Sequence, residues 1–457
     1  MTKYDAILVG SGQAATPLAR KLAAAGWKTA LIERQWVGGT CVNVGCTPTK
    51  TLIASGRVAY LTKRSADFGI RTSGFDVDVQ TFLRRKNSVV LSAREGSTKS
   101  LLSTPNLELI FGTASFTGQK ELTVTKEDGS KETMTAEHII LNAGAVPFLP
   151  PIPGLYDIPY LTSASILDLA EIPGHLAIIG GGYIALEFGQ LYRRLGSQVT
   201  IIEGGSKFLP REDEDISAEI RKILEEDGIQ ILMDTRVARI AQGDAVRLEL
   251  QSADPTQVIT ASHVLVAAGR RPDTAGLQVA ATGITLDAHG FIPVNGRLET
   301  TVPGIFALGD VNGGPQFTHV SWNDHLIVYK NLIENANLST VHREAVYCLF
   351  TDPELGRVGL TEREARAKGL NVKVASMPAS YVARARENGE TRGLLKVIVN
   401  ADDRKILGAA MLISGGGELM SIVQMAMTGG VTCDIVRDGM YAHPTYAESL
   451  NNLFAKL

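Results

Sequence analysis

One strand–helix–strand unit used twice, followed by a mixed α+β segment, is the α/β architecture that the sequence predicts. Three observations carry it. Apolar runs end in glycine-rich turns at Gly10-Ser11-Gly12 and again at Gly180-Gly181-Gly182. Each turn opens a helical stretch and then a second apolar strand that closes on an acid, Glu33 or Glu203, 23 positions beyond the first glycine. At 457 residues, the chain is also too long for one ordinary core and suits about three domains.

In order, residues 4–9 read as a buried strand, 10–15 as the glycine-rich turn, the stretch from there to Ala25 as a helix stopped by Gly26, and 29–32 as a second strand ending at Glu33. In such a unit Gly10 permits the tight turn, Gly12 lets a pyrophosphate approach the helix N-terminus, and Glu33 accepts ribose hydroxyls. Ala15 stands as a small residue where a third glycine is usual. The second copy runs from the strand 176–179 through Gly180 and Gly182 to the strand 198–202 and Glu203. A single copy is equally readable as a tight strand-to-helix turn, but two with equal spacing form a repeat, and two dinucleotides are expected. Each unit also has a later apolar strand ending in a small-residue turn, at Ala143-Gly144 and at Ala268-Gly269.

Hydrophobic residues at 44% and charged residues at 20% describe a globular chain, while 46 glycines signal many close backbone approaches. A net charge of -3 with no long Lys/Arg run argues against nucleic acid or an anionic membrane as partner, so small molecules are expected. The N-terminus lacks a signal-peptide pattern, which points to the cytosol. Apolar runs fall short of the roughly 20 residues that a membrane helix needs, so no membrane span is expected. Cys41, Cys46, Cys348 and Cys433 are too sparse for a disulfide scaffold.

The first two cysteines lie in Gly38-Gly39-Thr40-Cys41-Val42-Asn43-Val44-Gly45-Cys46-Thr47-Pro48-Thr49-Lys50. Pro48 suits the first turn of a helix, so Cys46 faces the positive end of a helix dipole, which favours its thiolate. The four intervening residues leave room for one turn between two sulfurs that open and close as a pair. A half zinc site is the competing reading, but no further Cys or His lies at short spacing.

This segment resembles the redox signature of the class I pyridine nucleotide-disulfide oxidoreductases, which include glutathione reductase, lipoamide dehydrogenase and mercuric reductase. The resemblance runs the whole chain. It implies FAD on the first unit, touched by Gly10, Gly12, Ala15, Glu33, Gly39, Thr40, Lys50 and Gly144. Asp310, in Thr300-Thr301-Val302-Pro303-Gly304-Ile305-Phe306-Ala307-Leu308-Gly309-Asp310, is implied to hold the ribityl chain. A nicotinamide dinucleotide is implied on the second unit, at Gly180, Gly182, Tyr183, Glu203 and Gly269. Glu203 favours NADH because a carboxylate repels a 2'-phosphate; Lys207 and Arg211 keep NADPH open.

By the same resemblance Cys46 faces the flavin, Cys41 exchanges with substrate, and Lys50 pairs with Glu187 beside the flavin. Tyr183 is implied to be an aromatic lid. His443 and Glu448, in His443-Pro444-Thr445-Tyr446-Ala447-Glu448, are implied to act as acid and base from the partner subunit of a homodimer. Read locally, Thr445 and Glu448 fit a helix capping box, Lys50 and Glu187 are surface charges, and Tyr183 is a packing aromatic. The expected organisation is an FAD domain over 1–148 and 271–338, interrupted by an NAD(P) domain over 149–270, then a dimerisation domain over 339–457.

Four cysteines leave no vicinal pair near residue 457, unlike ordinary mercuric reductases. Other stretches still resemble that side of the family: Pro315-Gln316-Phe317-Thr318-His319-Val320, and Ala383-Arg384-Ala385-Arg386 followed by Thr391-Arg392-Gly393. Phe208-Leu209-Pro210-Arg211-Glu212-Asp213 and Glu448-Ser449-Leu450-Asn451-Asn452-Leu453-Phe454 are similar to bacterial reactive-chlorine-resistance flavoproteins, a mercuric-reductase-like branch, which implies a disulfide or a metal ion such as copper(II) or mercury(II) as acceptor. Lipoamide dehydrogenase-type or glutathione reductase-type activity is the nearest alternative. A redox sensor without turnover is the rival of another class, against which His443 and Glu448 count.

Overall fold

The computed structural model describes residues 1–251, 257–341 and 343–457. Strand β1 (Thr2–Val9), helix α1 (Ala15–Ala24) and strand β2 (Thr29–Glu33) form the first unit. Helices α2 (Gly39–Val44), α3 (Cys46–Lys63) and α4 (Val79–Leu102) follow, then strands β3 (Leu107–Phe111), β4 (Thr113–Gly118), β5 (Glu121–Thr125) and β6 (Lys131–Leu141). The sheet order is β3-β2-β1-β6-β5-β4, and the strand Ile305–Ala307 pairs in parallel with β6.

Both faces of this sheet are covered, which is why β1 reads as a continuous apolar run rather than an alternation. Ala6 and Leu8 pack with Leu18 and Leu22 of α1, while Ile7 and Val9 face Phe116, Leu122 and Ile305 on the other side. Each large buried side chain contributes roughly 1.5–3 kcal/mol.

The second unit rests on a parallel sheet in the order Ile229–Leu232, Gln198–Ile202, His175–Ile179, His263–Val266, Leu161–Thr162. Helix α5 (Tyr183–Leu195) leaves its glycine turn. Gly56 lets α3 pack closely on α5, because a Cβ there would meet Leu191 Cδ1 at 2.7 Å. The last segment is a five-stranded antiparallel sheet ordered Val346–Leu349, Glu354–Gly359, Ile406–Ile413, Leu394–Asn400, Val372–Pro378. The helix Gly416–Thr428 packs on it through Leu419, Met420 and Val423. Among the described residues, no helix is long and apolar enough to cross a membrane.

Candidate active site

The two glycine turns have the same construction. Gly10 lies at φ +89°, and a Cβ there would meet the Asn142 carbonyl oxygen at 2.5 Å. Gly180 lies at φ +102°, and a Cβ would meet the Ala267 carbonyl oxygen at 2.5 Å. The acids close both turns: Glu33 accepts from Ser11 N at 2.9 Å, and Glu203 from Gly181 N at 2.6 Å. Among the described residues, the amides of Gly12, Gln13 and Ala14 have no protein acceptor, and neither do those of Gly182, Tyr183 and Ile184. Orphan donors at the positive end of a helix suit a pyrophosphate, so both cradles fit a dinucleotide.

Asn142 braces the first cradle from beneath, accepting from Ala15 N at 3.2 Å and donating to the Leu308 carbonyl at 2.7 Å. Asp310 sits at the same end of the sheet, where Arg270 Nη1 donates to it at 2.6 Å. Gly39 lies against Gly12, with 2.8 Å from its Cβ position to Gly12 Cα. The sulfur segment is thereby docked on the first glycine turn, and Thr40 Oγ1 comes near the Cβ position of Gly144.

Helix α2 is held by Asn43, whose Nδ2 donates to the Gly39 carbonyl at 2.9 Å. Gly45 breaks it, since a Cβ would meet the Thr40 carbonyl at 2.8 Å, and α3 begins at Cys46. Cys41 and Cys46 are free thiols at the α2–α3 junction. Interaction with Cys41 holds the Cys46 thiol down to about 6, with help from Thr318 and Lys50 and against desolvation and Glu187. The Cys46 sulfur is reached by solvent, but protein atoms crowd it enough to penalise its anion. Cys41 is pushed well above the ordinary thiol range by the same interaction and by burial. The pair is unequal, with Cys46 the more acidic thiol and Cys41 the less acidic.

Lys50 Nζ lies 2.6 Å from Glu187 Oε2, so the α3–α5 contact brings this pair together across the sequence. Glu187 also accepts from Phe350 N at 3.0 Å, and Lys50 Nζ lies 4.7 Å from the Phe350 ring centre. Tyr183, half-buried at the start of α5, donates to Glu212.

His443 Nδ1 lies 2.9 Å from both oxygens of Glu448, which raises the imidazole pKa through hydrogen bonding and charge and lowers that of the carboxyl. Thr445 Oγ1 accepts from Glu448 N at 3.3 Å, and Thr445 N donates to Glu448 at 3.4 Å. These bonds close a turn ahead of the helix Ser449–Phe454, whose N-cap is Glu448 itself with no side-chain cap, so the expected capping box does not form and the Glu448 carboxylate is left to His443. Within one chain, no hydrogen bond or ion pair among the described residues joins His443 or Glu448 to Cys41, Cys46, Lys50 or Glu187, and the His443 side chain is 70% exposed.

Sequence reasoning gave no role to Thr318, whose Oγ1 is 3.3 Å from Cys46 Sγ, to Asn142, or to Arg270. Thr318 and Asn142 lay inside recognisable segments, but nothing in the residue type assigned their contacts. Cys348 is half-buried beside Glu354, its Sγ 3.5 Å from Oε2, and burial pushes its thiol up. No group of His, Cys, Asp and Glu among the described residues is arranged to hold a metal ion.

Two dinucleotide cradles, with a thiol pair in the segment docked on the first of them, fit an oxidoreductase that moves an electron pair between a nucleotide and sulfur. Residues 4–324 match the model of the pyridine nucleotide-disulphide oxidoreductases, and residues 346–454 match the dimerisation domain of the same group. The chain belongs to the pyridine nucleotide-disulphide oxidoreductase family, and it is an NAD(P)H-dependent, FAD-dependent flavoprotein.

It is 40% identical over 459 positions to the probable pyridine nucleotide-disulfide oxidoreductase RclA of Escherichia coli, covering 100% of this chain and 99% of that protein. It is 36% identical to a mercuric reductase of Bacillus cereus, covering 98% of this chain and 70% of that one. A solved structure described as the Cu(II) complex of HOCl-induced flavoprotein disulfide reductase RclA from E. coli superposes with a TM-score of 0.92 at 38% identity, covering 100% of both chains.

Proposed function

We propose that the chain passes electrons from NADH through Cys41 and Cys46 to a thiol-reactive acceptor, either a small disulfide or a metal ion such as copper(II) or mercury(II), in the cytosol. The unequal thiol pair carries this reading: a thiolate at Cys46 and a protonated Cys41 are the division of labour that such a relay needs. Bound FAD supplies the two-electron step between nicotinamide and sulfur.

Cys46, at the α3 N-terminus and 2.6 Å-paired Lys50 behind it, is the sulfur on the flavin side; Cys41 meets the acceptor. Because Cys41 keeps its proton, it needs a base, and we assign that role to His443 of the partner subunit, an assignment supported by the Glu448 contact that raises and orients its imidazole. With a disulfide acceptor, Cys41 forms a mixed disulfide and releases one thiol, which takes the His443 proton. The Cys46 thiolate then attacks the Cys41 sulfur, closing the enzyme disulfide and releasing the second sulfur as a thiolate that takes its proton from water. With copper(II), two ions each take one electron while Cys41 gives up its proton to His443 and the two sulfurs join. The Cu(II) complex of the similar RclA supports the metal acceptor.

Glu203 supports NADH, since its carboxylate is fixed at the second cradle by the amides of Gly181 and Gly205, both at 2.6 Å. Lys207 and Arg211 offer the competing cation set, and a kcat/KM in favour of NADPH would overturn the preference. The decisive test is Cys46→Ser treated anaerobically with reduced nicotinamide: loss of the long-wavelength thiolate-to-flavin absorption supports the assignment, and its persistence refutes it. Turnover with lipoamide, glutathione disulfide, copper(II) and mercury(II) then identifies the acceptor.

A further inference from the structure

Residues 208–213 belong to neither cradle nor sulfur pair, yet they carry a buried carboxylate to the start of α5. Leu209 takes φ +43°, and Glu212 N donates to the Leu209 carbonyl at 2.9 Å, turning the Glu212 side chain inward. Glu212 is 2% exposed. Its Oε1 accepts from the Tyr183 hydroxyl and, at 2.7 Å, from the Tyr347 hydroxyl. Its Oε2 has no hydrogen-bond donor and lies 3.7 Å from Nε of Arg357, which is 1% exposed. The two phenol rings sit 5.6 Å apart. Burial and Glu212 hold both phenols above their ordinary range.

The carboxylate is anchored to the C-terminal sheet and not to the helix that bears Tyr183. Asp213, its neighbour, accepts from Glu362 N at 3.0 Å and is 3.4 Å from Lys396 Nζ. Arg363 Nη2 donates to the Pro210 carbonyl at 2.6 Å. Tyr347 stacks on Phe317 at 5.4 Å and 7°, one residue before the Thr318 that touches Cys46. Tyr183 is therefore tied by one hydrogen bond to a fixed post reaching toward the sulfur pair.

We propose that Glu212 is a positioning residue that latches Tyr183 over the nicotinamide site, and that nicotinamide entry breaks the Tyr183–Glu212 hydrogen bond while Tyr347 and Arg357 retain the carboxylate. This rests on the reading that a nicotinamide dinucleotide binds at the second cradle. The double phenol explains how the lid moves at modest cost. A buried carboxylate stripped of every donor would bear its full desolvation penalty, whereas Tyr347 keeps Oε1 satisfied when Tyr183 leaves.

A latch lowers the fraction of binding-competent protein, and apparent affinity falls by that fraction. Tyr183→Phe keeps the ring and removes only the donor. In anaerobic stopped-flow reduction of the holoenzyme flavin by NADH, its apparent Kd is expected to fall about tenfold, the equivalent of about 1.4 kcal/mol, with a smaller change in limiting rate. Iodide quenching of flavin fluorescence rises in the same variant. Tyr347→Phe leaves Tyr183 as the sole phenol on Glu212, so its apparent Kd rises or stays level, a sign that general loosening would not produce. Adding Glu212→Gln to Tyr183→Phe changes Kd no further.

An unchanged Kd in Tyr183→Phe, or a fall in Tyr347→Phe matching it, overturns the latch alone. Failure of both NADH and NADPH to reduce the wild-type flavin overturns the nicotinamide reading and the latch with it.

Discussion

The Cys46 thiolate depends first on a single donor, and removing that donor has a size that can be worked out. Interaction with the Cys41 thiol is the largest influence holding Cys46 down to about 6 from an ordinary 9.0. A hydrogen bond to a charged group is worth about 1.5–3 kcal/mol, and the low end applies to a solvent-reached sulfur. At about 1.36 kcal/mol for each tenfold change in acidity, Cys41→Ala moves the Cys46 midpoint up by about one, to about 7. Cys41→Ser, which keeps a hydroxyl donor, leaves it near the wild-type value.

The assay is the rate of iodoacetamide alkylation against pH, with mass spectrometry to locate the label. Cys348 and Cys433 are both held up by burial and stay protonated across this window. The sign follows from the thiolate being the nucleophile: reactivity falls as pH drops through the midpoint, so Cys41→Ala loses reactivity at a higher pH than Cys41→Ser. In wild type the two thiols titrate as a pair, so the comparison is made between the two single-thiol variants. A Cys41→Ala midpoint no higher than that of Cys41→Ser would transfer the effect to Thr318, Lys50 and the α3 dipole, and the reasoning would fail.

Glu448→Gln removes the group that raises His443, so the His-dependent limb of the kcat/KM profile for a disulfide acceptor moves to lower pH; an unmoved limb separates the two residues. Gly10→Ala places a Cβ 2.5 Å from the Asn142 carbonyl at φ +89°, and purified protein is expected to carry substoichiometric FAD by absorbance ratio. Gly56→Ala presses on Leu191 Cδ1 at 2.7 Å and is expected to destabilise the holoenzyme by about 1–3 kcal/mol in urea unfolding, the usual cost of overpacking. Thr318→Val deletes a hydrogen bond to Cys46 without changing side-chain volume, so the Cys46 midpoint rises in the same alkylation assay.

What the sequence disclosed was whatever a short stretch of backbone determines by itself. The two glycine turns, their closing acids and the Cys41–Cys46 step are local, and each needs a residue type that few others replace. The Lys50–Glu187 ion pair joins residues far apart, and only family resemblance suggested it; residue by residue, both read as surface charges. The stretch holding Ile305–Ala307 is readable only through its resemblance to an FAD motif, and its place as a strand beside Ile139–Leu141 is not legible, because every buried parallel strand presents the same apolar run.

The contacts that were hardest to foresee share one property, a polar group carried to its partner by tertiary packing. Lys396 lies in the strand Leu394–Asn400, where a lone charge suggests a solvent-facing position. It is buried instead, ringed by Asp213, Asp215 and Glu362. Glu212, one residue before Asp213, is buried by the same docking of this loop on the C-terminal sheet. A carboxylate at such a place is tolerated only where donors are already assembled, and those donors, Tyr183 and Tyr347, come from two different elements. Burial of Glu212 is thus a product of how the glycine unit seats against the C-terminal sheet. If that seating is what sets the carboxylate, Asp213→Asn, which weakens the anchor without touching either phenol, should reproduce part of the fall in apparent Kd expected for Tyr183→Phe. An Asp213→Asn enzyme with wild-type affinity would show that Glu212 keeps its position without its neighbour.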